Sequence, residues 1–255
     1  METIPEVDSL IEREYHEILE KQFNSLKTQE VDFFRQRQEM MDYYTLWAHQ
    51  IKTPITALSL ILQSRSEADF DYIQMKQELF KIEQYVELVM EYLRLNSMNT
   101  DLVLEQYSLE KIVKQSVKKY ATVFMYKGLS LKLENISVEV LTDEKWLCFV
   151  ICQLLSNALK YTKEGSIRIY LSEQSEKSLV IEDTGIGINK KDLPRVFEQG
   201  FTGYNGRMDK KASGLGLYLS KKVMTNLGHN ILIESVEGKG TKVILDLKSE
   251  GLEVE

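Results

Sequence analysis

Residues 47–55 read Trp-Ala-His-Gln-Ile-Lys-Thr-Pro-Ile, and two glycine-rich turns follow far downstream: Asp-Thr-Gly-Ile-Gly-Ile at 183–188 and Gly-Leu-Gly-Leu at 214–217. A histidine before a Thr-Pro pair is a weak signal by itself, and so is either glycine turn. In this order, with a helix carrying Asn157 and Lys160 between them, the blocks indicate a phosphate acceptor on a helix followed by a nucleotide site. The chain therefore divides into a helical half and a mixed α/β half.

Composition limits the possible functions. The 255 residues carry a net charge of -7, which argues against nucleic acid as a direct partner. No apolar run approaches the roughly 18 residues that span a bilayer, and no signal peptide is visible. A reducing, cytoplasmic compartment fits this composition, and if the parent protein is a membrane sensor, its spans lie outside this chain.

The first half predicts one long helix from about residue 7 to residue 62. Its apolar side chains recur every seven residues at two positions, which together form one face of the helix, the seam. Glu30 and Arg37 interrupt the second of these positions. The members of the two positions are Leu19, Leu26, Phe33, Met40, Trp47 and Ile61, then Phe23, Tyr44, Ile51 and Leu58. This repeat predicts an imperfect coiled coil, most simply with a second copy of the helix. A single amphipathic helix is the alternative.

His49 is expected on the face of this helix away from the seam. It lies two residues from both Trp47 and Ile51, which places it about 200° around the helix from each at 100° per residue. A histidine kept for packing would lie on the seam, so we predict that His49 faces water. His16 and His229 lack any motif, and we interpret both as surface residues.

A second helix is predicted over residues 72–93, where apolar residues alternate spacings of three and four. A short polar break makes it return antiparallel, and one such hairpin leaves its apolar stripe exposed. We therefore expect a homodimer with a four-helix bundle. The predicted segments are a coiled-coil segment over 1–39, a dimerisation hairpin over 40–97 and a linker over 98–101.

Residues 102–248 predict an α/β sandwich, with helices on one face of a mostly antiparallel sheet, and 249–255 form a tail. Ser108 caps a helix that Gly128 ends, and Asp143 caps the next helix, which runs through Lys160. Strands are expected over 129–133, 138–141, 166–171, 178–182, 231–235 and 241–247, and a last helix over 215–227.

Cys148 and Cys152 lie four residues apart in an apolar helical run. A metal or redox pair is one interpretation. Two buried small hydrophobic residues in a reducing compartment are the favoured one.

The nucleotide site is predicted from several separate elements. A carboxylate at a strand end, Asp183, can accept a hydrogen bond from an exocyclic amine, and the glycines beside it permit close backbone approach. The turn at 214–217 precedes a helix whose free N–H groups suit phosphate, and the long run between the turns suits a lid. Asn157 can coordinate magnesium through its amide oxygen, and Lys160 can neutralise phosphate. Taken singly, each element also fits an ordinary turn or a solvated helix face.

Together the blocks resemble the histidine-kinase branch of the ATPases shared with gyrase, Hsp90-type chaperones and MutL, over roughly residues 40 to 248. The segments His-Gln-Ile-Lys-Thr-Pro-Ile and Phe-Thr-Gly-Tyr-Asn-Gly-Arg are similar to those of Gram-positive intramembrane-sensing kinases that respond to antimicrobial peptides. The resemblance implies an α+β sensor histidine kinase of a two-component system. Such an enzyme phosphorylates His49 with ATP, transfers the phosphoryl group to an aspartate of a response regulator, and in some cases dephosphorylates that partner.

The same resemblance implies ATP and Mg2+ as cofactors, with Asn157 as the magnesium ligand and Asp183 as the reader of adenine. It places the following further residues at the nucleotide: Lys160, Tyr161, Gly185, Gly187, Thr202, Gly203, Gly214, Leu215, Gly216, Leu217 and Thr241. The implied partners are a second copy, a response regulator, and a membrane sensor segment or transporter outside this chain.

Gln50 departs from the family pattern. Most members carry an acid directly after the phosphoacceptor, where it can act as general base, whereas an amide cannot take a proton. The family uses the position of Thr53 to orient water in the phosphatase reaction. Two other functions stay open at this point: an ATP-driven conformational switch of the chaperone or MutL class, and a non-catalytic coiled-coil adaptor. The first gives no reason to present His49 on a hairpin, and the intact Asn157 and Asp183 argue against the second.

Overall fold

A computed structural model of the chain describes residues 10–63, 70–95, 102–173, 175, 177–203 and 213–248. They divide into two compact units, Met1–Tyr85 and Val86–Glu255. Within the described residues, no helix combines the length and apolarity needed to span a bilayer.

The first unit is helical. Helix α1 runs over Leu10–Gln63 as a single element that contains Pro54. Helix α2 runs over Phe70–Leu95, so its last residues, from Val86 on, belong to the second unit. The predicted long helix and its successor are therefore confirmed. The polar break at 64–69 and the linker at 98–101 lie outside the described residues, and the antiparallel return of α2 stays a prediction.

The upper seam of α1 is open to solvent in one copy of the chain. Leu19, Phe23, Leu26 and Phe33 are 51–67% exposed. A row of large apolar side chains along several helical turns costs free energy in water, because each loses the transfer free energy that burial would supply. This exposure is what the coiled-coil interpretation requires of an unpaired copy, and the pairing itself stays a prediction.

The second unit is an α/β sandwich, as predicted. Its helices are α3 (Leu109–Lys127), α4 (Glu144–Tyr161) and α5 (Gly216–Asn226), and its strands are β1 (Glu105–Ser108), β2 (Ser130–Leu133), β3 (Glu139–Thr142), β4 (Ser166–Leu171), β5 (Ser178–Asp183), β6 (Asn230–Val236) and β7 (Gly240–Asp246). Five strands form one sheet in the order β2-β4-β5-β7-β6. Only the β2–β4 pair in this sheet is parallel.

The core of this unit lies between one face of the sheet and the helices. Alternate residues of β4 and β7 are buried, including Ile167, Ile169 and Leu245, as expected for a sheet covered on that side. The central strand β5 is buried without alternation over its first four residues, 178–181. Helix α4 contacts both α3 and α5 and so occupies the middle of the helix layer. Side chains on α4 therefore have a firmly held backbone, which matters for the site below.

The helix ends follow the sequence with one exception. Asp143 caps α4: its Oδ1 accepts hydrogen bonds from the backbone N–H groups of Lys145 at 2.9 Å and Trp146 at 3.1 Å. Helix α3 begins directly after Ser108, but the predicted cap is wrong, since the Ser108 side chain makes no capping hydrogen bond. Ser108 instead ends β1, where it pairs with Glu139 of β3.

Two features of the second unit were not predicted. The first is β1 itself, which forms a separate antiparallel pair with β3. The second is the position of His229, which is buried rather than on the surface, so the surface interpretation of that residue is wrong. Its Nε2 lies 3.3 Å from the Thr142 hydroxyl oxygen, and burial lowers the pKa of its imidazole. His16, on α1, is partly exposed.

Candidate nucleotide site

Asp183 ends β5 in the middle of the sheet. Its Cα lies opposite Thr241 of β7 and opposite Ile167 of β4. Its Oδ1 accepts a hydrogen bond from the backbone N–H of Gly185 at 2.8 Å. Burial raises the pKa of this carboxyl group, and hydrogen bonds from the backbone of Gly185 and Thr241 act in the opposite direction. Holding the ionised carboxylate at the edge of the core lowers the free energy of unfolding. A carboxylate perturbed in this way is typical of a functional site.

Thr162 is a site residue that the motif analysis missed. Its side chain is fully buried beside the Asp183 carboxyl group and acts to lower the pKa of that group. Thr162 Oγ1 is enclosed by protein atoms and makes no hydrogen bond of normal geometry with any described residue, so its interaction with Asp183 is a weak one. Its only signal in the sequence is that it directly follows Tyr161.

The first glycine turn is clamped between two elements. The N–H of Ile186 donates to the carbonyl oxygen of Tyr161 at the end of α4 (3.2 Å), and the carbonyl oxygen of Ile186 accepts from Gly238 in the β6–β7 turn (2.8 Å). A Cβ atom at Gly185 would lie 2.6 Å from the Tyr161 carbonyl oxygen and 2.7 Å from Asp183 Oδ1. No side chain fits at that position, so the glycine is needed for the close approach.

Helix α4 adds polar side chains to the same region. Gln153, Asn157 and Lys160 follow one another along its surface and are all half-buried. The Lys160 ammonium group lies over the Tyr161 ring, 5.2 Å from its centroid. A Cβ atom at Gly216 would lie 3.0 Å from Gln153 Oε1, which places the start of α5 directly against this row.

The start of α5 suits an anion. Its N-cap residue, Leu215, supplies no side-chain hydrogen bond to the first turn. The N–H of Leu215 itself is 3.3 Å from the Ser213 hydroxyl oxygen. A helix N-terminus left without its own cap carries partial positive charge and N–H groups that phosphate oxygens can accept from.

The segment between the two glycine turns, which is predicted to form a lid, has its ends joined by a hydrogen bond. The N–H of Gly200 donates to the carbonyl oxygen of Gly214 at 3.2 Å. Gly214 has a φ of +65°, and a Cβ atom there would lie 2.4 Å from the Gly200 carbonyl carbon. The Arg195 guanidinium stacks over the Phe201 ring at 4.5 Å. The two ends of the loop are thus held together, while residues 204–212 lie outside the described residues.

The structure brings most of the predicted nucleotide residues together in the second unit. Thr241, predicted to line the adenine pocket, lies opposite Asp183, and its hydroxyl group is 2.9 Å from that of Ser235. Gly187 is buried in the first turn, and Thr202 and Gly203 are half-buried. No cluster of three or more His, Cys, Asp or Glu side chains suited to a metal occurs among the described residues.

The predicted phosphoacceptor segment lies in the first unit. His49 is helical in its backbone, and its side chain lies outside the described residues, so its outward orientation stays a prediction. Gln50 is half-buried and Thr53 is exposed.

Comparisons with known proteins bear on both units. The family of histidine kinase-, DNA gyrase B- and HSP90-like ATPases matches residues 142–251. The sensor protein BceS of Halalkalibacterium halodurans is 37% identical over 205 residues, covering 80% of this chain and 61% of BceS. The sensor histidine kinase YxdK of Bacillus subtilis is 32% identical over 234 residues, covering 89% of this chain and 71% of YxdK. The sensor protein kinase GraS of Staphylococcus aureus is 35% identical, covering 82% of this chain and 61% of GraS.

The chain thus spans about three fifths of the length of BceS and GraS. Among solved structures, the histidine kinase AdeS of Acinetobacter baumannii superposes with a TM-score of 0.54 at 21% identity, covering 78% of this chain and 97% of the AdeS chain. This likeness confirms the predicted fold class.

Proposed function

This chain belongs to the sensor histidine kinases, and on that basis we propose that it binds Mg-ATP in the second unit, phosphorylates His49, and passes the phosphoryl group to an aspartate of a response regulator. The observation that carries the proposal is the half-buried carboxylate of Asp183, held at 2.8 Å by the Gly185 N–H next to the polar row of α4 and the uncapped start of α5.

Adenine recognition is assigned to Asp183. The backbone N–H of Gly185 donates to Oδ1, and the backbone of Thr241 also donates to this carboxyl group. A carboxylate has about four lone-pair sites, so it keeps acceptor capacity for the exocyclic amine of adenine, which we assign to Oδ2. The buried Thr162 hydroxyl group lies beside this carboxylate and favours its ionised form. Guanine presents an oxo group where adenine presents the amine, so its lone pairs would face those of the carboxylate.

Phosphate and magnesium binding are assigned to α4 and α5. Magnesium, when bound, would neutralise charge on the phosphates, and it commonly takes only one or two protein oxygens because phosphates and water complete its octahedron. Asn157 fits this role as a single amide oxygen on a rigid helix. Lys160 would add positive charge, and the first N–H groups of α5 would donate hydrogen bonds to phosphate oxygens.

In the phosphorylation step an imidazole nitrogen of His49 would attack the γ-phosphorus, the bond to the β-phosphate oxygen would break, and ADP would leave. The imidazole must also lose a proton. Gln50 cannot accept it, so we assign Gln50 to orienting the ring by a hydrogen bond. Thr53, exposed one turn further along α1, would orient water if the phosphorylated regulator is hydrolysed.

The assembly we propose is a homodimer paired along α1 and the hairpin, because the exposed seam of α1 needs a partner surface of the same kind. Its parent protein would lie in the cell membrane with these units in the cytoplasm. A membrane sensor segment or transporter would supply the stimulus.

Incubation with γ-labelled ATP and magnesium tests the proposal. The wild-type chain should acquire an acid-labile, base-stable label, as a phosphoramidate does, and His49→Gln should abolish it while ATP still binds. His16→Gln is the matched control, since it removes another histidine from the same helix and should leave labelling intact. ATP binding without any label in the wild type would favour the conformational switch instead, and the absence of ATP binding would favour the adaptor.

A further inference from the structure

Ser235 of β6 joins three parts of the nucleotide site by hydrogen bonds. Its Oγ accepts from the backbone N–H of Ile188, at the end of the first glycine turn, at 2.8 Å. The same oxygen lies 2.8 Å from the carbonyl oxygen of Gly240 and 2.9 Å from the hydroxyl oxygen of Thr241. Ser235 was not among the predicted site residues.

The register of the sheet places Ser235 in one row with the carboxylate that is assigned to adenine. Ser235 lies directly opposite Thr241, and Thr241 lies directly opposite Asp183. Directly opposite residues point their side chains to the same face of a sheet, with Cβ atoms about 4.5–5.5 Å apart. The backbone of Thr241 also donates a hydrogen bond to the Asp183 carboxyl group. The Thr241 side chain therefore lies between Ser235 and the carboxylate in this row.

The three contacts of Ser235 determine the direction of each hydrogen bond. A serine hydroxyl group has one hydrogen to donate and two lone pairs to accept with. The Gly240 carbonyl oxygen can only accept, so the Ser235 hydrogen points to it. The two lone pairs then accept from the Ile188 N–H and from the Thr241 hydroxyl group. Thr241 thus gives its only hydrogen to Ser235 and presents only lone pairs to a ligand.

An acceptor-only hydroxyl group beside a carboxylate selects a ligand that donates. The 6-amino group of adenine carries two hydrogens, one for each acceptor. The 6-oxo group of guanine or hypoxanthine carries none, so its lone pairs would face those of both Asp183 and Thr241. A threonine whose hydrogen was free could turn and donate to the oxo group. The fixed direction of the Thr241 hydrogen bond is therefore what makes this residue selective.

We propose that Ser235 is a positioning residue for nucleotide specificity: it fixes Thr241 as an acceptor, so that Thr241 and Asp183 together select a purine with a 6-amino group. The inference rests on the proposed binding of ATP and extends it to a residue that makes no contact with the nucleotide. The hydrogen and both lone pairs of Ser235 are engaged by protein groups.

Ser235 also supports the local fold, because its removal deprives the Ile188 N–H and the Gly240 carbonyl oxygen of their partner. Loss of this support would weaken the binding of every purine nucleotide. Loss of the fixed hydrogen changes the ratio between nucleotides instead. The sharp measurement is therefore the ratio of the affinities for ATP and inosine triphosphate (ITP), which has the same sugar and phosphates and an oxo group in place of the amine.

The experiment is calorimetric titration of ATP and ITP, each with magnesium, into the full chain and its variants. Ser235→Ala should lower the ratio of ATP to ITP affinity by about two- to tenfold, the range that one neutral hydrogen bond contributes. Ser235→Thr keeps a hydroxyl group and should retain the wild-type ratio. The matched control is Ser178→Ala, which removes a serine hydroxyl group at the other end of the sheet and should leave the ratio unchanged.

A double substitution tests whether Ser235 acts through Thr241. Thr241→Val removes the hydroxyl group at nearly constant shape. In that background Ser235→Ala should change the ratio no further, because the group it controls is gone. A further change of the ratio would mean that Ser235 acts on another group, and it would overturn the inference.

Melting temperatures of the same samples report the fold. If Ser235→Ala does not fold, Ser235→Cys replaces it, since a thiol fills the space but is a weak donor and acceptor, and the ratio should fall in the same direction. An unchanged ratio in a folded variant that binds ATP overturns the inference alone. Absence of ATP binding by the wild type would overturn the proposed function and this inference together.

Discussion

Replacing Asp183 by Asn is the most informative single substitution at the nucleotide site, because it preserves shape while removing charge. The amide oxygen of Asn can still accept the Gly185 N–H that Oδ1 accepts now at 2.8 Å. Its NH2 group then stands where Oδ2 should receive the adenine amine, so two donors face each other. Loss of a hydrogen bond to a charged group costs about 1.5–3 kcal/mol, which is roughly a 10- to 150-fold weakening of ATP binding.

The same substitution should not damage the fold. Burial raises the folded-state pKa of Asp183 above its unfolded value, so the folded protein binds a proton more tightly than the unfolded one does. The ionised carboxylate therefore costs stability above the folded-state pKa, and this cost is relieved as pH falls through that value. A neutral amide removes the cost at pH 7, and the Asn variant should melt at or above the wild-type temperature.

The assay is calorimetric titration of ATP and GTP into both proteins, with melting temperatures measured on the same samples. Asp246→Asn is the matched control, since Asp246 ends β7 at the opposite end of the sheet, next to Ser178, and should leave ATP affinity unchanged. GTP should bind poorly to the wild type. Equal affinities for ATP and GTP, or an Asn variant that binds ATP as well as the wild type, would refute the adenine contact.

Three further predictions concern other parts of the chain. Gln50→Glu should raise the rate of His49 phosphorylation, within the 10²–10⁴-fold that a positioned base contributes, as measured by single-turnover labelling; an unchanged rate would leave Gln50 an orienting role only. His229→Gln should remove part of the acid sensitivity of folding seen in urea unfolding at several pH values. Burial lowers the pKa of His229, so its contribution is complete above about pH 6.5 and is lost as pH falls from there toward the folded-state pKa. Asp143→Ala should lower the free energy of unfolding by about 1–2 kcal/mol in the same assay, because the carboxylate caps α4 and also accepts the Val103 N–H at 3.1 Å.

The sequence predicts those helix ends, strand bounds and turns that depend on neighbouring residues along the chain. Strand β4 was predicted at its observed bounds, and the ends of α3 and α4 follow from Gly128 and Asp143, because glycine at a positive φ and an aspartate at an N-cap act within one turn. The glycine turns and the polar row of α4 were likewise predicted, and the fold places them side by side. In each case the determining contacts lie within the segment itself or in a motif of fixed spacing.

What the sequence missed depends on partners far along the chain. Strand β1 has a polar, four-residue sequence and exists only because β3 pairs with it. That pairing also explains the missing Ser108 cap. His229 is buried against Thr142, 87 positions earlier, and nothing in its neighbours along the chain signals that contact. Thr162 becomes notable only when its side chain is found buried beside the Asp183 carboxyl group.

The hydrogen bond between Gly200 and Gly214 has a consequence for how this family of sites can diversify. Once the two ends of a loop are fixed, lengthening the segment between them costs only about 0.6 kcal/mol per doubling of length. Because the hydrogen bond between Gly200 and Gly214 fixes the two ends of the loop, the positions of these ends do not depend on the length of the loop. We therefore expect that a peptide tag inserted between Gly203 and Ser213 lowers the free energy of unfolding only slightly, because the hydrogen bond between Gly200 and Gly214 already closes the loop.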